Sequence, residues 1–409
     1  MLRAELQELI RNGESSRVEF RRDEVSNQDL AKEVVAFANF AGGTVLLGVE
    51  DDGAVHGITR QNLQEWVMEL CRVKIDPPII PYFEMHQDVE LGKHIAVLRV
   101  FQGPNKPYAR VHNAQRTYYI RVGTTSREAS PEELERMFQE AGRVRFGLKP
   151  VPGADHTELD PRRLKDYFGR VLSQQYPDDN AIEEWQRLLI NLELLVKSGE
   201  SVTPTVDGML LFGRNPKRFL PQSGIRAIAY PGNQQDYAAR ADQDLIGPLA
   251  PLYSFAGSPP NAVLVETGLV EQALDFVIRN TQPEAHIENG ARVDRSTYPP
   301  EVLREVIVNA LVHRDYTIVG TDISLLIFAD RIEVSSPGRL PNTATVEALK
   351  AGFRYARNQT LVNIMRDYRY VDFRGMGIRD KIIPGMRAHN GTEPVLIEGE
   401  RNFTVRLLK

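Results

Sequence analysis

The sequence lacks the residues that stabilise small secreted domains and the long apolar runs that cross membranes. Cys71 is the only cysteine among 409 residues, which excludes an internal disulfide. No stretch approaches 18 consecutive apolar residues, and the first ten residues form a charged amphipathic pattern rather than a signal peptide. We therefore expect a cytoplasmic protein without a membrane partner. Cys71 lies in an apolar, helix-like run at 66–73, which predicts a packed thiol.

An excess of positive charge is also missing. The chain has 50 Lys and Arg against 55 Asp and Glu, a formal net charge of -5, which argues against a protein that coats nucleic acid through bulk charge. A local basic groove is still compatible with this balance. The first 130 residues interleave arginines with tyrosines, as a surface for phosphates and unstacked bases would need. They are Arg17, Arg21, Arg22, Arg110, Arg116, Arg121, Arg127, Tyr108, Tyr118 and Tyr119. For any single arginine, ordinary pairing with a glutamate is the alternative.

Two strand-like runs near the start carry acidic residues. The alternation at 18–21 sends Val18 and Phe20 to one face of a strand and Glu19, flanked by arginines, to the other. A helix is predicted at 30–40 and a second strand at 44–50, whose end delivers Asp51. If the two strands are neighbours, Glu14, Glu19 and Asp51 converge.

Three carboxylates without cysteine or histidine nearby make an all-oxygen site. Such a site suits Mg²⁺ or Mn²⁺, ions that activate water and stabilise an in-line phosphoryl displacement. The alternative is that Glu19 is a solvated residue on an exposed sheet face. In that case the Asp-Asp-Gly sequence at 51–53 is simply a hairpin turn.

Several blocks in this region together resemble a known family. They are Glu14-x4-Glu19-Phe-Arg, Ala-Phe-Ala-Asn-Phe-Ala-Gly-Gly at 36–43, Gly-Val-Glu-Asp-Asp-Gly at 48–53 and Tyr-Tyr-Ile-Arg-Val-Gly at 118–123. Residues 14–138 resemble the AlbA_2 domain, the divergent AAA-4 module of Schlafen proteins. The resemblance implies that Glu14, Glu19 and Asp51 form the catalytic metal site of a nuclease that cuts RNA, with tRNA as a candidate and phage defence as a setting. The residues predicted to bind nucleic acid are Arg17, Arg21, Arg22, Tyr119 and Arg121.

A helix-like run in the second half of the chain carries polar residues at regular spacing. Glu305, Asn309 and His313 are four residues apart and therefore share one helical face. Around them, the pattern predicts strands at 205–212 and 224–230. It predicts helices at 185–197, 264–280 and 299–313.

Residues 200–409 resemble a degenerate GHKL ATPase fold, the C-terminal region of RecG-like transcriptional regulators. The phrases that carry this resemblance are at 208–216, 304–316 and 332–341. It implies a nucleotide site at Glu305, Asn309 and His313, with Gly375 and Gly377 as a remnant of a glycine-rich loop. ATP binding is in doubt because Ser335 and Ser336 stand where the adenine-binding aspartate is expected, and hydrolysis is less expected still. The alternative is a polar network that fixes the fold.

Taken together, the patterns predict an α+β protein in three parts. These are an AlbA_2 domain of mixed sheet and helices at 1–142, a helical linker region at 143–200, and a GHKL-like α/β sandwich at 201–409 with no winged helix after it. We predict a homodimer that binds nucleic acid and cleaves RNA with Mg²⁺ or Mn²⁺. The alternative function is a non-catalytic regulator that binds DNA or RNA, with the second domain as an ATP-binding part or a scaffold.

Overall fold

The computed structural model divides into two compact units, residues 1–144 and 145–409. It describes residues 3–103, 105–141, 144–199, 201–254, 262–281, 284–288, 291–340, 344–371 and 377–409.

The first unit contains one mixed sheet, one antiparallel sheet and a central helix. Its described helices are α1 (Arg3–Asn12), α2 (Asn27–Asn39), α3 (Leu63–Val73) and α4 (Pro131–Glu140). Its described strands are β1 (Val18–Arg21), β2 (Gly43–Leu47), β3 (Ile75–Asp76), β4 (Tyr82–Glu90), β5 (Lys93–Val100), β6 (Ala109–His112), β7 (Gln115–Val122) and β8 (Thr125–Glu128). The sheets have the orders β1-β2-β5-β4 and β3-β6-β7-β8.

Helix α2 lies in the main core of this unit. Its Val34 and Phe37 are buried together with Val45 of β2, Leu98 of β5 and Tyr119 of β7. Ser26 caps α2 by accepting a hydrogen bond from Asp29 N at 3.1 Å, so the helix begins three residues before the predicted start. Strands β1 and β2 pair in parallel, as the sequence required for its carboxylates to converge.

The second unit is a six-stranded sheet covered by helices. Its described helices are α5 (Pro161–Asp166), α6 (Ile182–Asn191), α7 (Val206–Phe212), α8 (Pro216–Phe219), α9 (Leu269–Asn280), α10 (Pro300–Val312), α11 (Val346–Lys350), α12 (Gln359–Asp367) and α13 (Ile383–Asn390). Its described strands are β9 (Leu195–Ser198), β10 (Ser201–Pro204), β11 (Ile225–Ala229), β12 (Ala241–Leu245), β13 (Leu252–Tyr253), β14 (Leu264–Glu266), β15 (Glu284–Glu288), β16 (Ala291–Arg295), β17 (Ile323–Ile327), β18 (Arg331–Pro337), β19 (Val395–Glu398) and β20 (Asn402–Leu408).

The large sheet has the order β12-β11-β17-β18-β20-β19. Apolar residues of α9 and α10, among them Phe276 and Ile307, pack in one core with Leu325 of β17 and Val334 of β18. The chain as a whole is α+β, as the sequence predicted. Among the helices that the structure describes, none is both long and apolar enough to cross a bilayer.

The run at 205–212 is a helix rather than the predicted strand. Thr205 caps α7 by accepting a hydrogen bond from Gly208 N at 3.0 Å. Position 208 requires glycine, because a Cβ there would lie 2.1 Å from the carbonyl oxygen of Leu194. A short apolar run can be a buried helix or a buried strand, and here the cap and the close approach favour the helix.

Two predicted helices are shorter than expected. In the segment 264–280, residues Leu264–Glu266 form β14, and α9 begins only after Gly268, whose N–H donates to Glu271 Oε2 at 3.1 Å. In the segment 185–197, α6 ends at Asn191 and β9 follows from Leu195.

The segment 143–200, predicted as a separate linker region, packs into the second unit. Val151, Leu159, Leu164 and Phe168 are buried in the core of that unit. The ring of Trp185 lies 5.7 Å from the ring of Phe168 in an edge-on contact. Burial of these apolar side chains joins the segment to the second unit.

Candidate functional site

The guanidinium group of Arg21 lies among four carboxylates. Its Nη1 is 3.7 Å from Glu14 Oε1 and 3.7 Å from Asp51 Oδ1. Its Nη2 is 3.3 Å from Glu33 Oε1 and forms a close ion pair with Glu19 Oε1. The structure therefore brings the three predicted carboxylates, Glu14, Glu19 and Asp51, to one guanidinium group together with a fourth. We call these five residues the Arg21 cluster.

Local geometry explains why Glu14 and Glu19 meet. Arg21 and Glu19 are two residues apart in β1 and therefore extend to the same face, whereas Val18 and Phe20 are buried on the other. Glu14 precedes the strand, and its Oε1 accepts a hydrogen bond from Phe20 N at 3.0 Å.

Asp51 reaches the cluster from an exposed turn. Glu50 N donates to Ala54 O at 2.9 Å, and Gly53 N donates to Glu50 O at 2.8 Å, which closes the turn after β2. The Asp51 side chain is 84 % exposed. The two sequence interpretations of this acid are therefore both realised, because it belongs to a solvated hairpin-like turn and also faces Arg21.

Glu33 is the member that the sequence analysis missed. It lies on α2 and is 2 % exposed. Its Oε2 accepts hydrogen bonds from Ser126 Oγ at 2.5 Å and from Arg121 Nη1 at 3.1 Å. A glutamate in the middle of an otherwise apolar helical face was the available signal, since such a residue is rarely buried without partners.

Arg121 is a buried support of the cluster and not a phosphate ligand. Its side chain has no exposed surface, and its Nη2 lies 2.6 Å from Glu19 Oε2. The same nitrogen donates to the carbonyl oxygen of Ser15 at 2.9 Å, and the guanidinium lies 4.8 Å from the centre of the Phe37 ring. The predicted contact of Arg121 with nucleic acid is corrected accordingly.

Tyr119 is corrected for the same reason. It is 5 % exposed and packs in the core of the first unit, so its ring offers no face to a base. Alternation along β7 places Tyr119 and Arg121 on one face, and α2 covers that face. Of the other predicted contacts, Arg17 is exposed, and Arg22, 44 % exposed, pairs with Glu24 at 3.0 Å.

Burial raises the pKa of one carboxyl group of the cluster. Desolvation, with a further contribution from the neighbouring Glu33, raises the pKa of Glu19 from 4.5 to about 7, against the opposing effects of Arg21 and Arg121. Four carboxylates face these two arginines, which leaves a formal charge of −2 when every group is ionised. Near neutral pH the cluster therefore retains part of one proton.

The carboxylates of the Arg21 cluster have the oxygen atoms that a divalent cation prefers, but their present arrangement does not form a metal site. Carboxylate oxygens are the ligands that Mg²⁺ and Mn²⁺ prefer. Within the described residues, however, no group of three His, Cys, Asp or Glu side chains is placed to hold a metal ion. Arg21 occupies the space between the carboxylates. Its side chain is 27 % exposed.

The second group of predicted residues lies on α10 of the other unit. Asn309 Nδ2 donates to Glu305 Oε1 at 3.3 Å, and Lys381 Nζ is 3.4 Å from Glu305 Oε2. Gly377 lies against this carboxylate, because a Cβ at that position would be 1.8 Å from Glu305 Oε1. Burial, with a smaller contribution from Arg357, lowers the pKa of His313 to about 4 and keeps its imidazole neutral. Gly375 lies outside the described residues.

Two family models match the chain. Residues 14–130 match the model described as "Schlafen, AlbA_2". Residues 320–407 match HATPase_c_4, described as "Putative ATP-dependent DNA helicase recG C-terminal". The domain combination that the sequence motifs indicated, a Schlafen AlbA_2 domain followed by a RecG C-terminal ATPase-like domain, is confirmed.

Two solved structures are similar to this chain, one along nearly its whole length and the other along about a third of it. The DIP2311 protein from Corynebacterium diphtheriae is 20% identical, with 99% of this chain and 79% of that chain covered and a TM-score of 0.44. The N-terminal domain of a RecG-related protein from Nitrosomonas europaea is 22% identical, with 32% of this chain and 94% of that chain covered and a TM-score of 0.26. No curated protein matches the chain.

Proposed function

We propose that the first unit binds nucleic acid at the face of the Arg21 cluster and cleaves RNA there with a divalent cation. The observation that carries the proposal is the convergence of Glu14, Glu19 and Asp51 on one guanidinium group, within a segment that matches the Schlafen AlbA_2 family. Carboxylates held this close together repel one another unless cations or protons neutralise part of their charge.

The residues have distinct roles in this proposal. Arg17 and Arg22 are accessible and attract the phosphate backbone without reading sequence. Arg21 exchanges its carboxylate partners for a phosphate, which a guanidinium group binds with two parallel hydrogen bonds. That movement frees oxygens of Glu14 and Asp51 and the Oε1 of Glu19 as ligands, while Glu19 Oε2 stays on Arg121. A bound Mg²⁺ or Mn²⁺ would activate water and stabilise charge in the phosphoryl displacement.

Glu33 and Arg121 act as positioning residues. Both are buried, and both contact Glu19 or the groups that hold it. They fix the direction of the Glu19 carboxylate, as supports around a metal or phosphate site commonly do.

A second candidate function is a nucleic-acid-binding regulator without catalysis. It is favoured by one observation, that Arg21 and Arg121 already pair with Glu19 inside the cluster. If that pairing is permanent, the carboxylates only orient Arg21. Glu19→Gln should then bind nucleic acid as well as the wild type or better, because a negative charge near phosphate is removed.

A cleavage assay separates the two candidates. Labelled tRNA, single-stranded RNA and single-stranded DNA are incubated with Mn²⁺, Mg²⁺ or EDTA, and a gel shift measures binding in parallel. Asp52→Asn is the matched control, because Asp52 is exposed in the same turn and its Oδ1 accepts a hydrogen bond from Ala54 N that asparagine can also accept.

The nuclease proposal expects metal-dependent cutting of RNA that Glu19→Gln and Asp51→Asn abolish and Asp52→Asn retains. Binding without cutting of any substrate, unchanged by the same substitutions, would replace it with the regulator. The remaining expectations, a cytoplasmic homodimer that acts in defence, stay predictions. Light scattering on the purified chain tests the dimer.

A further inference from the structure

The second unit contains a pocket beside α10. Its enclosed volume is about 130 Å³. One wall is formed by α10 and another by β18 and β20, and further lining comes from residues within 338–340 and 344–357. A concave, mostly apolar surface with a few polar groups at its edge is the usual character of a site for a small organic ligand.

The pocket has an apolar body. Val306 and Ala310 of α10, Val334 of β18 and Val405 of β20 line it. Phe353, 37 % exposed, lies at the rim. These side chains offer a surface for an aliphatic or aromatic frame, because removal of apolar area from water is favourable.

The charged side chains among the described lining residues all have one sign. The charged residues among the described lining are Arg339, Arg354 and Arg357, and none of that lining is Asp or Glu. Arg339 is 3.5 Å from Glu398, which lies outside the lining. Within the described residues, Arg354 forms no ion pair, and Arg357 donates only to the carbonyl oxygens of His313 and Arg339. A protein with a net charge of -5 thus concentrates positive charge at an apolar pocket.

The lining gives little support for a divalent cation. Of the possible oxygen ligands near α10, Glu305 is bound by Asn309 at 3.3 Å and paired with Lys381 at 3.4 Å, behind Gly377. His313 lines the pocket as a neutral imidazole, since its pKa is lowered to about 4. Without a carboxylate in the described lining, the arginines and not a metal would neutralise a ligand's charge.

We propose that this pocket binds a small organic anion with an apolar body, a carboxylate or a monophosphate, without a divalent cation. The apolar frame lies between α10 and the sheet, and the anionic group faces Arg354 and Arg357 at the rim. The inference is independent of the nucleic-acid site, since it concerns only residues of the second unit.

The test is a fluorescence titration of the full chain with anilinonaphthalene sulfonate, an apolar-bodied anion. Arg354→Glu and Phe353→Ser should each weaken its binding, the first by roughly tenfold or more, because a charge-assisted contact is replaced by repulsion. The matched control is Arg187→Glu, which reverses an exposed arginine of α6 in the same unit. Arg354 and Phe353 are both exposed, so these variants should fold.

Displacement of the dye then identifies the ligand class. Naphthoate or naphthyl phosphate, each added without metal, should displace it. The anion that displaces the dye at the lower concentration shows whether the pocket prefers a carboxylate or a monophosphate. Neutral naphthalenemethanol and inorganic phosphate should displace it poorly.

Three results would overturn the proposal. The first is equal dye affinity of Arg354→Glu and Arg187→Glu. The second is displacement by naphthalenemethanol as strong as by naphthoate. The third is displacement by ATP with Mg²⁺ at lower concentration than by either naphthyl anion, which would make the pocket a nucleotide site.

Discussion

Replacement of Glu19 by glutamine tests the electrostatics of the Arg21 cluster most directly. In the wild type, burial and the neighbouring Glu33 raise the pKa of Glu19 from 4.5 to about 7. The folded state therefore holds this proton more tightly than the unfolded state. The stabilisation that results is fully present below about pH 4.5 and is lost as the pH rises through about 7. Glutamine has the shape of the protonated carboxyl group and does not ionise.

The expected effect follows from the shift. Each tenfold change in proton affinity corresponds to roughly 1.4 kcal/mol, and the exposed side of the cluster screens part of the effect, so we expect about 2 kcal/mol. The free energy of unfolding of Glu19→Gln minus that of the wild type should increase by about 2 kcal/mol from pH 5 to pH 8. The gain should accumulate between about pH 4.5 and pH 7 and level off above pH 7.

The two tryptophans make this measurable within the full chain. Trp66 belongs to the first unit and Trp185 to the second. In a Trp185→Phe background, urea unfolding followed by Trp66 fluorescence reports on the first unit alone. Asp52→Asn, a neutral substitution at an exposed acid, supplies the baseline. A difference between Glu19→Gln and wild type that stays constant from pH 5 to pH 8, or that falls, would refute the reasoning.

Further predictions concern the same two units. If the first unit cleaves RNA, the cleavage rate should rise with pH through about 7 as Glu19 ionises. Glu33→Gln should move the midpoint of this rise to lower pH, because Glu33 raises the pKa of Glu19. A pH–rate profile of both proteins checks these two expectations. Arg121→Met leaves Glu19 and Glu33 without their buried cation and should cost about 3–5 kcal/mol in urea unfolding of the first unit. Arg22→Glu should weaken nucleic-acid binding equally across sequences and flatten its salt dependence, measured by titration at several salt concentrations. Thr205→Val removes the cap of α7 and should cost about 1 kcal/mol, read from Trp185 fluorescence during urea unfolding.

The local pattern determined much of the candidate site. Alternation in β1 was enough to place Glu19 opposite Val18 and Phe20, since a strand has a period of two. Ser130 and Asp160 likewise cap α4 and α5, and each is followed by a proline at the first helical position. These features depend on residues within a few positions of one another, so the sequence contains all the information that they require.

The burial of each face was decided by tertiary packing. The pattern of β7 shows that Tyr119 and Arg121 share a face, but only the position of α2 shows that this face is covered. For the same reason the sequence did not reveal Glu33 as a member of the cluster. Its partners lie 12 and 88 positions away, at Arg21 and Arg121.

The sequence by itself thus determined the two family resemblances, the α+β class and the convergence of Glu14, Glu19 and Asp51 once β1 and β2 are paired. Only the tertiary structure decided that Arg21 lies between these carboxylates. It also assembled a pocket whose walls come from α10, β18 and β20, far apart in the chain. Periodicity assigns a residue to a face. The element that covers this face is set by contacts between distant segments, which no local pattern contains.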